Sequence, residues 1–592
     1  MIMAANQILF LFLLLLCNGC CTTALHNEPD NGSREERQIH NTPEPTHSTP
    51  PHTAKDPLSI WIKEASSSSS SPSSSLSSRP NVLFLVVDDL LPRLGCYGDQ
   101  MLVTPNIDHL ASKSVVFERA YAQQALCGPS RTSFLTGRRP ESTRVFDLTT
   151  YWRDVAGNFT TLPQFFKQHG YFAQGIGKIF HPGNSGGNND GDFSWSAPNY
   201  NGKQPVSYEK RHESTIQPVK ETVVGKLQDT TIADFAVEWL NNRSQTSQHD
   251  RPFFLAVGFH KPHLPFLYPE EFKALYPLQN IHPAKHTDKP PNTEDVVFSG
   301  NFEFHMFKDI QNFNQTDTMD PLPLSYQLQL RQAYSAAISF TDGLVGRVLE
   351  ALERNGFTNN TIISFHGDHG YHLGDNAMWG KHTNYEATTR IPMMFHIPGV
   401  TSPDSDFRYI DVLAGNLTHT AQRPTPVQPR LRTDALVEAV DLYPTLAELA
   451  GLQAPDTCPD DNLHVGTCVE GTSLVPVLRD VTSPSQSRGF SGKEAAFSQY
   501  IRKHNLYNFT VMGYSVRTAR HRYAEWVEYD HDHFQANFSN VVARELYVHA
   551  TDPDEYYNVE AKDEHRLTVE SLSQLLRAGW RSTLQHYLLD LN

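Results

Sequence analysis

The 592-residue chain has little of what would make a membrane, fibrous or nucleic-acid-binding protein. Beyond the first two dozen residues no stretch approaches 18 consecutive apolar positions, so no stable membrane anchor is expected downstream. No internal repeat is present, and the composition is neither collagen-like nor coiled-coil-like. Basic residues are few: 49 Lys and Arg against 65 Asp and Glu, a balance that argues against a nucleic-acid partner held by phosphate neutralisation. Cysteine is scarce as well. Of seven, Cys17, Cys20 and Cys21 fall in the leader, leaving Cys96, Cys127, Cys458 and Cys468.

Against these absences stand 39% hydrophobic and 11% aromatic residues, enough for a sizeable core. The 28 histidines are notable. If all were protonated, their 28 charges would carry the formal charge from −16 to +12, the limit approached in an acidic compartment. Ile8 to Leu16 is an unbroken apolar run followed by small and polar residues ending in Thr22-Thr23-Ala24, the pattern of a secretory signal peptide over 1–24. Eight Asn-x-Ser/Thr sequons, at Asn31, Asn158, Asn242, Asn314, Asn359, Asn416, Asn508 and Asn537, agree with that route. In an oxidising compartment Cys458 and Cys468, close together in a Pro/Asp/Gly-rich stretch, are expected to pair, contributing roughly 3 kcal/mol by closing a short loop. Cys96 reads as a buried small hydrophobe, which leaves Cys127 to be explained.

Residues 25–79, rich in Pro, His, Glu and Thr and ending in a serine tract, predict a disordered propeptide or linker. At Asn81 the pattern turns to Asn-Val-Leu-Phe-Leu-Val-Val, a strand of the kind buried on both faces of a parallel sheet, followed at once by Asp88 and Asp89. Phe253–Phe259 runs likewise into His260, and Thr361–Phe365 into His366-Gly-Asp-His-Gly. Leu330, Tyr334, Ala337, Thr341, Leu344, Val348 and Leu352 recur at helical spacing until Asn355-Gly356 stops them, giving a helix-to-strand crossover. Ligands of open α/β sheets collect beyond the carboxyl ends of the strands, so Asp88, Asp89, His260, Asp368 and His369 can converge. A catalytic domain over 80–450 is expected, and short β-type runs beyond Gly451 predict a smaller α+β subdomain over 451–592. The spacing His366-x-x-His369-x-x-His372 superficially invites zinc, but it lies across a strand end and a loop.

Cys127-Gly-Pro-Ser-Arg131, with Thr136-Gly137 downstream, resembles the signature of type I sulfatases, in which this Cys becomes formylglycine. The resemblance runs from about Asn81 to Asn558 and implies an alkaline-phosphatase-like fold, a large mostly parallel sheet flanked by helices. It also implies the chemistry. A hydrated aldehyde offers one hydroxyl to attack sulfur and a second whose deprotonation expels sulfate, splitting one hard step into two. One Ca2+ ion would be held by Asp88, Asp89, Asp368, His369 and an oxygen of modified Cys127, although most of the family has Asn where His369 stands. Gly170 to His181 resembles the second family signature, which assigns Lys178 to the sulfate and His181 to proton transfer near the nucleophile. By the same likeness Phe259-His260-Lys-Pro-His263 offers His260 to the substrate as a donor, and Lys381 is the second sulfate-binding lysine. Tyr371, where the family branch has Trp, is expected on the substrate, and Arg131 would grip the nucleophile's surroundings and the metal carboxylates. The branch resembled removes the 2-O-sulfate of terminal iduronate in dermatan and heparan sulfate. Sulfated glycosaminoglycan fragments, a formylglycine-generating enzyme and a lysosomal or secreted location follow as expectations.

Overall fold

The computed structural model describes residues 56–67, 79–205, 212–245, 251–313, 315, 317–413, 427–483, 492–503 and 507–589. The leader, most of the serine tract, and Asn31, Asn314 and Asn416 lie outside the described residues. From Lys55 onward the chain forms a single compact unit.

Seven strands make the central sheet: β1 (Asn81–Val87), β2 (Val115–Tyr121), β3 (Phe172–Gly177), β4 (Phe253–Phe259), β5 (Thr361–Gly367), β6 (Arg390–His396) and β7 (Leu431–Glu438). Their order is β7-β2-β6-β5-β1-β4-β3, parallel throughout except that β6 runs antiparallel to both neighbours. All seven residues of β1 are buried, as its unbroken apolar run predicts. Their alternation divides two cores: Leu83, Leu85 and Val87 pack on one face, Val82, Phe84 and Val86 on the other.

Helices cover both faces. The elements that matter for the site are α1 (Pro57–Ser67), α2 (Cys127–Thr136), α3 (Gln228–Gln245), α4 (Leu324–Arg354), α5 (Leu442–Leu449), α6 (Val475–Thr482) and α7 (Arg566–Ala578). The helix expected before Asn355-Gly356 is α4, 31 residues long and packed against α3. The segment 25–79, expected to lack structure, contains α1. Leu58 is fully buried there, the Trp61 indole donates to the Leu449 carbonyl at 3.0 Å, and Asp56 pairs with Arg479 at 2.9 Å. Composition averaged over the segment hid one apolar helical stripe that α5 and α6 cover.

Past residue 451 the chain does not leave the large sheet at once. α5 and α6 still pack on the large sheet, and the stretch between them is a loop closed by the Cys458–Cys468 disulfide. Arg138, just past the end of α2, donates to the Cys468 sulfur at 2.9 Å and to the Asn462 carbonyl at 3.0 Å, fastening that loop to the helix that Cys127 begins. The smaller sheet begins only at Ala495: β8 (Ala495–Lys503), β9 (Thr510–Thr518), β10 (His521–Asp530) and β11 (Gln535–Val548), antiparallel in chain order, with α7 against β9 and β10.

The two sheets are joined by buried charge. Glu438 at the end of β7 receives both arms of Arg139 (2.7 and 2.6 Å), the Lys493 ammonium (2.7 Å) and the Phe497 N–H of β8 (2.9 Å). Burial pushes the Glu438 carboxyl up, but Arg139 and Lys493 outweigh it and hold its pKa at about 2. A carboxyl lowered from an ordinary 4.5 stabilises the fold fully above that pH and loses the contribution as pH falls toward 2. Glu438→Gln, which strands the buried Arg139 guanidinium and leaves Lys493 with Asp441 alone, is expected to cost on the order of 3 kcal/mol at pH 7. Urea melts should show that deficit, and it should shrink between pH 4.5 and 2.

Candidate active site

One rung of the sheet brings the distant residues together. Val87 of β1 is level with Phe259 of β4 and Gly367 of β5, so the next residues, Asp88, His260 and Asp368, leave the sheet side by side. The ladder runs one step beyond the strands: Asp88 N–H donates to the Phe259 carbonyl and Asp368 N–H to the Val87 carbonyl. Lys178 follows Gly177 of β3 in the same way. Gly177 has φ +79°, and a Cβ there would lie 2.0 Å from the Gly258 oxygen, so only glycine lets the two strand ends approach.

Cys127 is the first residue of α2, and Arg131 stands one turn later on the same helix face. The Arg131 guanidinium donates Nη2 to Asp88 Oδ1 and Nε to Asp368 Oδ2, both at 2.9 Å, and Nη1 to the Lys178 and Ile179 carbonyls. Around the Cys127 sulfur lie Lys178 Nζ (3.5 Å), Lys381 Nζ (3.5 Å), His369 Nε2 (3.4 Å) and Asp89 Oδ1 (4.0 Å). Lys178 pairs with Asp88 at 2.5 Å and Lys381 with Asp89 at 2.8 Å. Three carboxylates thus face three fixed cations.

That balance is strained. Burial, with Lys178 and Arg131 outweighing it, leaves Asp88 well below the usual carboxylate range. Burial and the neighbouring carboxylates push Asp89 up to about 8 despite Lys381, and burial raises Asp368 to about 6. Crowded acids that resist ionising together mark a place where a divalent cation would be stabilising, and the donor set suits a hard ion. Ligand atoms of Asp88, Cys127, Asp368 and His369 lie within 4.8 Å of one another. His369 is preset for such a role: its Nδ1–H donates to the Gly370 carbonyl at 3.0 Å, which leaves the Nε2 lone pair facing the carboxylates.

A cavity of about 560 Å³ opens from Asp88 and Lys178 and is lined by His181, His260, His263 and Phe340 among others. His181, 2.9 Å from the Ser185 hydroxyl, is held neutral, its pKa pushed down to about 3 by burial and by Lys178. His260 differs from expectation. Its Nδ1 meets Asp229 at 3.0 Å, so the neutral ring turns an acceptor, not a donor, to the cavity. Tyr371 is also corrected: it is fully buried, stacked on Tyr334 at 5.6 Å with Phe266 edge-on, and does not line the cavity. The zinc spacing disperses, because His366 lies between Phe84 and Phe134 while His372 meets Thr383 at 3.0 Å.

Three residues of the site carry no assignment in the sequence reading. His263, three places after His260, belongs to a second group of converging ligand atoms with Asp88, Asp89 and Cys127. That residue was legible within the His-Lys-Pro-His loop. Asp229, which orients His260, sits on α3 with no local cue. Glu303, 3.8 Å from Lys381, lies in a loop without any motif.

The sulfatase family pattern matches residues 80–452. The chain belongs to the sulfatase family. It is 40% identical to human iduronate 2-sulfatase over 511 residues, 81% of this chain and 90% of that one, and 40% identical to the mouse enzyme over 83% and 93%. In fold it is similar to a solved 2-O GAG sulfatase (TM-score 0.56, 21% identity, 86% of this chain and 93% of that one). It is also similar to the phosphonate monoester hydrolase of Agrobacterium radiobacter (0.59, 19%, 85% and 96%). The sulfatase is therefore a sulfuric ester hydrolase with the alkaline-phosphatase-like architecture.

Burial first, and then the Asp88 carboxylate, push the Cys127 thiol far above its ordinary range, and Cys96 is likewise buried and raised. Native, unmodified sulfatase should therefore resist iodoacetamide at neutral pH at both positions and label at both after denaturation, as peptide mass spectrometry would record. Rapid native alkylation of Cys127 would contradict this geometry.

Proposed function

We propose that the sulfatase removes the 2-O-sulfate from terminal iduronate of dermatan and heparan sulfate fragments, using formylglycine at position 127 and one calcium ion. The observation that carries the formylglycine reading is the thiol itself. Buried beside Asp88, it is held protonated and is a poor nucleophile, yet both lysines of the site stand 3.5 Å from it. The iduronate reading rests on the 40% identity that spans 90% of the human iduronate 2-sulfatase. Asp88, Asp89, Asp368 and His369, with an oxygen at position 127, would hold the ion.

When present, the hydrated aldehyde supplies two hydroxyls on one carbon and the ion supplies positive charge opposite the sulfate oxygens. Lys178 and Lys381, each 3.5 Å from the position 127 sulfur, take sulfate oxygens and neutralise charge as it develops. Arg131 holds Asp88 and Asp368 in the orientation that ligation needs. The 2.9 Å contact between the Ser185 hydroxyl and His181 Nδ1 orients the neutral ring, which can hydrogen-bond a leaving oxygen in the cavity when its proton is on Nε2. His260, fixed by Asp229, accepts a hydrogen bond from a sugar hydroxyl.

A second reading has its own support. Neutral amides, Asn189, Asn201, Gln204 and Gln228, are among the residues that line the cavity, and the Lys261 ammonium there is engaged by the His263 and Pro265 carbonyls. Amides suit hydroxyls better than a uronate carboxylate, which favours a sulfated neutral or amino sugar. Secretion and delivery to lysosomes belong to the same proposal, supported by the leader and by exposed sequon residues at Asn158, Asn242, Asn359, Asn508 and Asn537. No helix among the described residues is long and apolar enough to cross a membrane.

Sulfate release from a 2-O-sulfated iduronate disaccharide is expected to exceed that from a 6-O-sulfated glucosamine disaccharide; the reverse order would favour the second reading. Cys127→Ser should lower kcat by about 10³-fold or more with little change in Tm, because it removes the second hydroxyl but almost no volume. Retained multiple turnover in that variant would refute the formylglycine reading. Asp368→Asn should lower bound calcium, measured by elemental analysis, in parallel with activity. Full activity of a demonstrably metal-free preparation would exclude the ion.

A further inference from the structure

We propose that Glu303 is a positioning residue for Lys381, fixing where that ammonium stands before and during sulfate transfer. The inference rests on the reading of Lys381 as a sulfate contact. A lysine is a flexible point charge with no direction of its own, so its location is set by the charges around it. The Lys381 ammonium lies between two carboxylates, Asp89 at 2.8 and 3.1 Å and Glu303 at 3.8 Å, with the Cys127 sulfur at 3.5 Å. Once Asp89 is committed to a metal ion, Glu303 is the remaining anion that faces Lys381.

The surroundings of Glu303 are built to hold it there. His382, next to Lys381, has φ +76°, a conformation costly for a residue with a Cβ and kept only where neighbours enforce it. Four contacts do so. Its N–H donates to the Ala125 carbonyl (3.1 Å), its carbonyl accepts from Arg502 (2.5 Å), Nδ1 meets the Tyr500 hydroxyl (2.7 Å), and Nε2 meets Glu303 (3.3 Å). Tyr500 and Arg502 belong to β8, so the small sheet reaches into the site through this residue. The loop of Glu303 is pinned to the strand segment before Lys381 by Asn301, which donates to the Ala377 carbonyl (3.1 Å) and accepts from the Trp379 N–H (2.8 Å). Glu303 also stands 3.7 Å from His263. A partly exposed carboxylate needs none of this bracing to remain folded, which points to a role in geometry.

The proposal makes a signed prediction that separates positioning from packing. In Glu303→Gln a competitor for the ammonium is lost while its alignment loosens. Inorganic sulfate should then inhibit more tightly, its Ki falling about threefold or more, while kcat falls roughly 10- to 100-fold. Both are read with an aryl sulfate, so the result stands whichever sugar is the natural substrate, and rates are normalised to formylglycine and calcium content. Glu303→Asp, which keeps the charge, should hold a near-wild-type Ki and recover part of kcat. Tyr500→Phe, which frees the far side of His382 without touching Lys381, should lower kcat in the same sense and more weakly. Unchanged kcat and Ki in Glu303→Gln would overturn the proposal, as would lost kcat with Ki unmoved. Failure of the wild-type enzyme to be inhibited by sulfate at all would instead remove the reading of Lys381 on which it rests.

Discussion

The arrangement around Cys127 depends on one guanidinium. Arg131 is fully buried, and a cation taken out of water must be satisfied in every direction by groups of fixed geometry. Two carboxylates from adjacent strand ends and two backbone carbonyls meet that demand. The fork therefore fixes the spacing of Asp88 and Asp368, and through the helix it shares with Cys127 it fixes the sulfur above them. A lysine could supply the charge but not the angle between the two carboxylates.

Much of this was legible because it is written locally. Continuous apolar runs ending in Asp or His identify β1, β4 and β5 and the edge at which their ligands gather, since a parallel strand buried on both faces has no other place for charge. The short pattern from Cys127 to Arg131 identifies the candidate nucleophile, and the sparse cysteines identify the disulfide. What escaped is set by long-range packing. The turn of His260 from donor to acceptor depends on Asp229, from a helix 31 residues earlier, and the burial of Tyr371 depends on Tyr334 and Phe266. A segment averaged as polar concealed α1, whose single apolar stripe is covered only when α5 and α6 are in place.

Histidine content shows the same limit. Counting 28 rings suggests a molecule whose charge reverses in acid, but His181, His263, His366, His369, His372 and His396 are all held below their ordinary range, first of all by burial. Rings kept neutral in the folded state bind protons more readily when unfolded, so each withdraws stability as pH drops below its ordinary 6.5. Acid tolerance must therefore come from paired carboxylates such as Glu438, which keep their contribution until much lower pH, and the limit of +12 is not approached by the folded chain.

Cys127 is only 1% exposed, at the root of a helix wedged between the strand ends and the disulfide loop. Nothing as large as a protein can grasp that residue once α2 has docked. On the formylglycine reading, a macromolecular catalyst that alters it would have to work on the extended chain, and the timing of chain entry and collapse would then decide how many molecules in a population become competent. Slowing the docking of α2 would lengthen that window, and a substitution far from the site that hastened collapse would lower activity while leaving every finished active molecule intact.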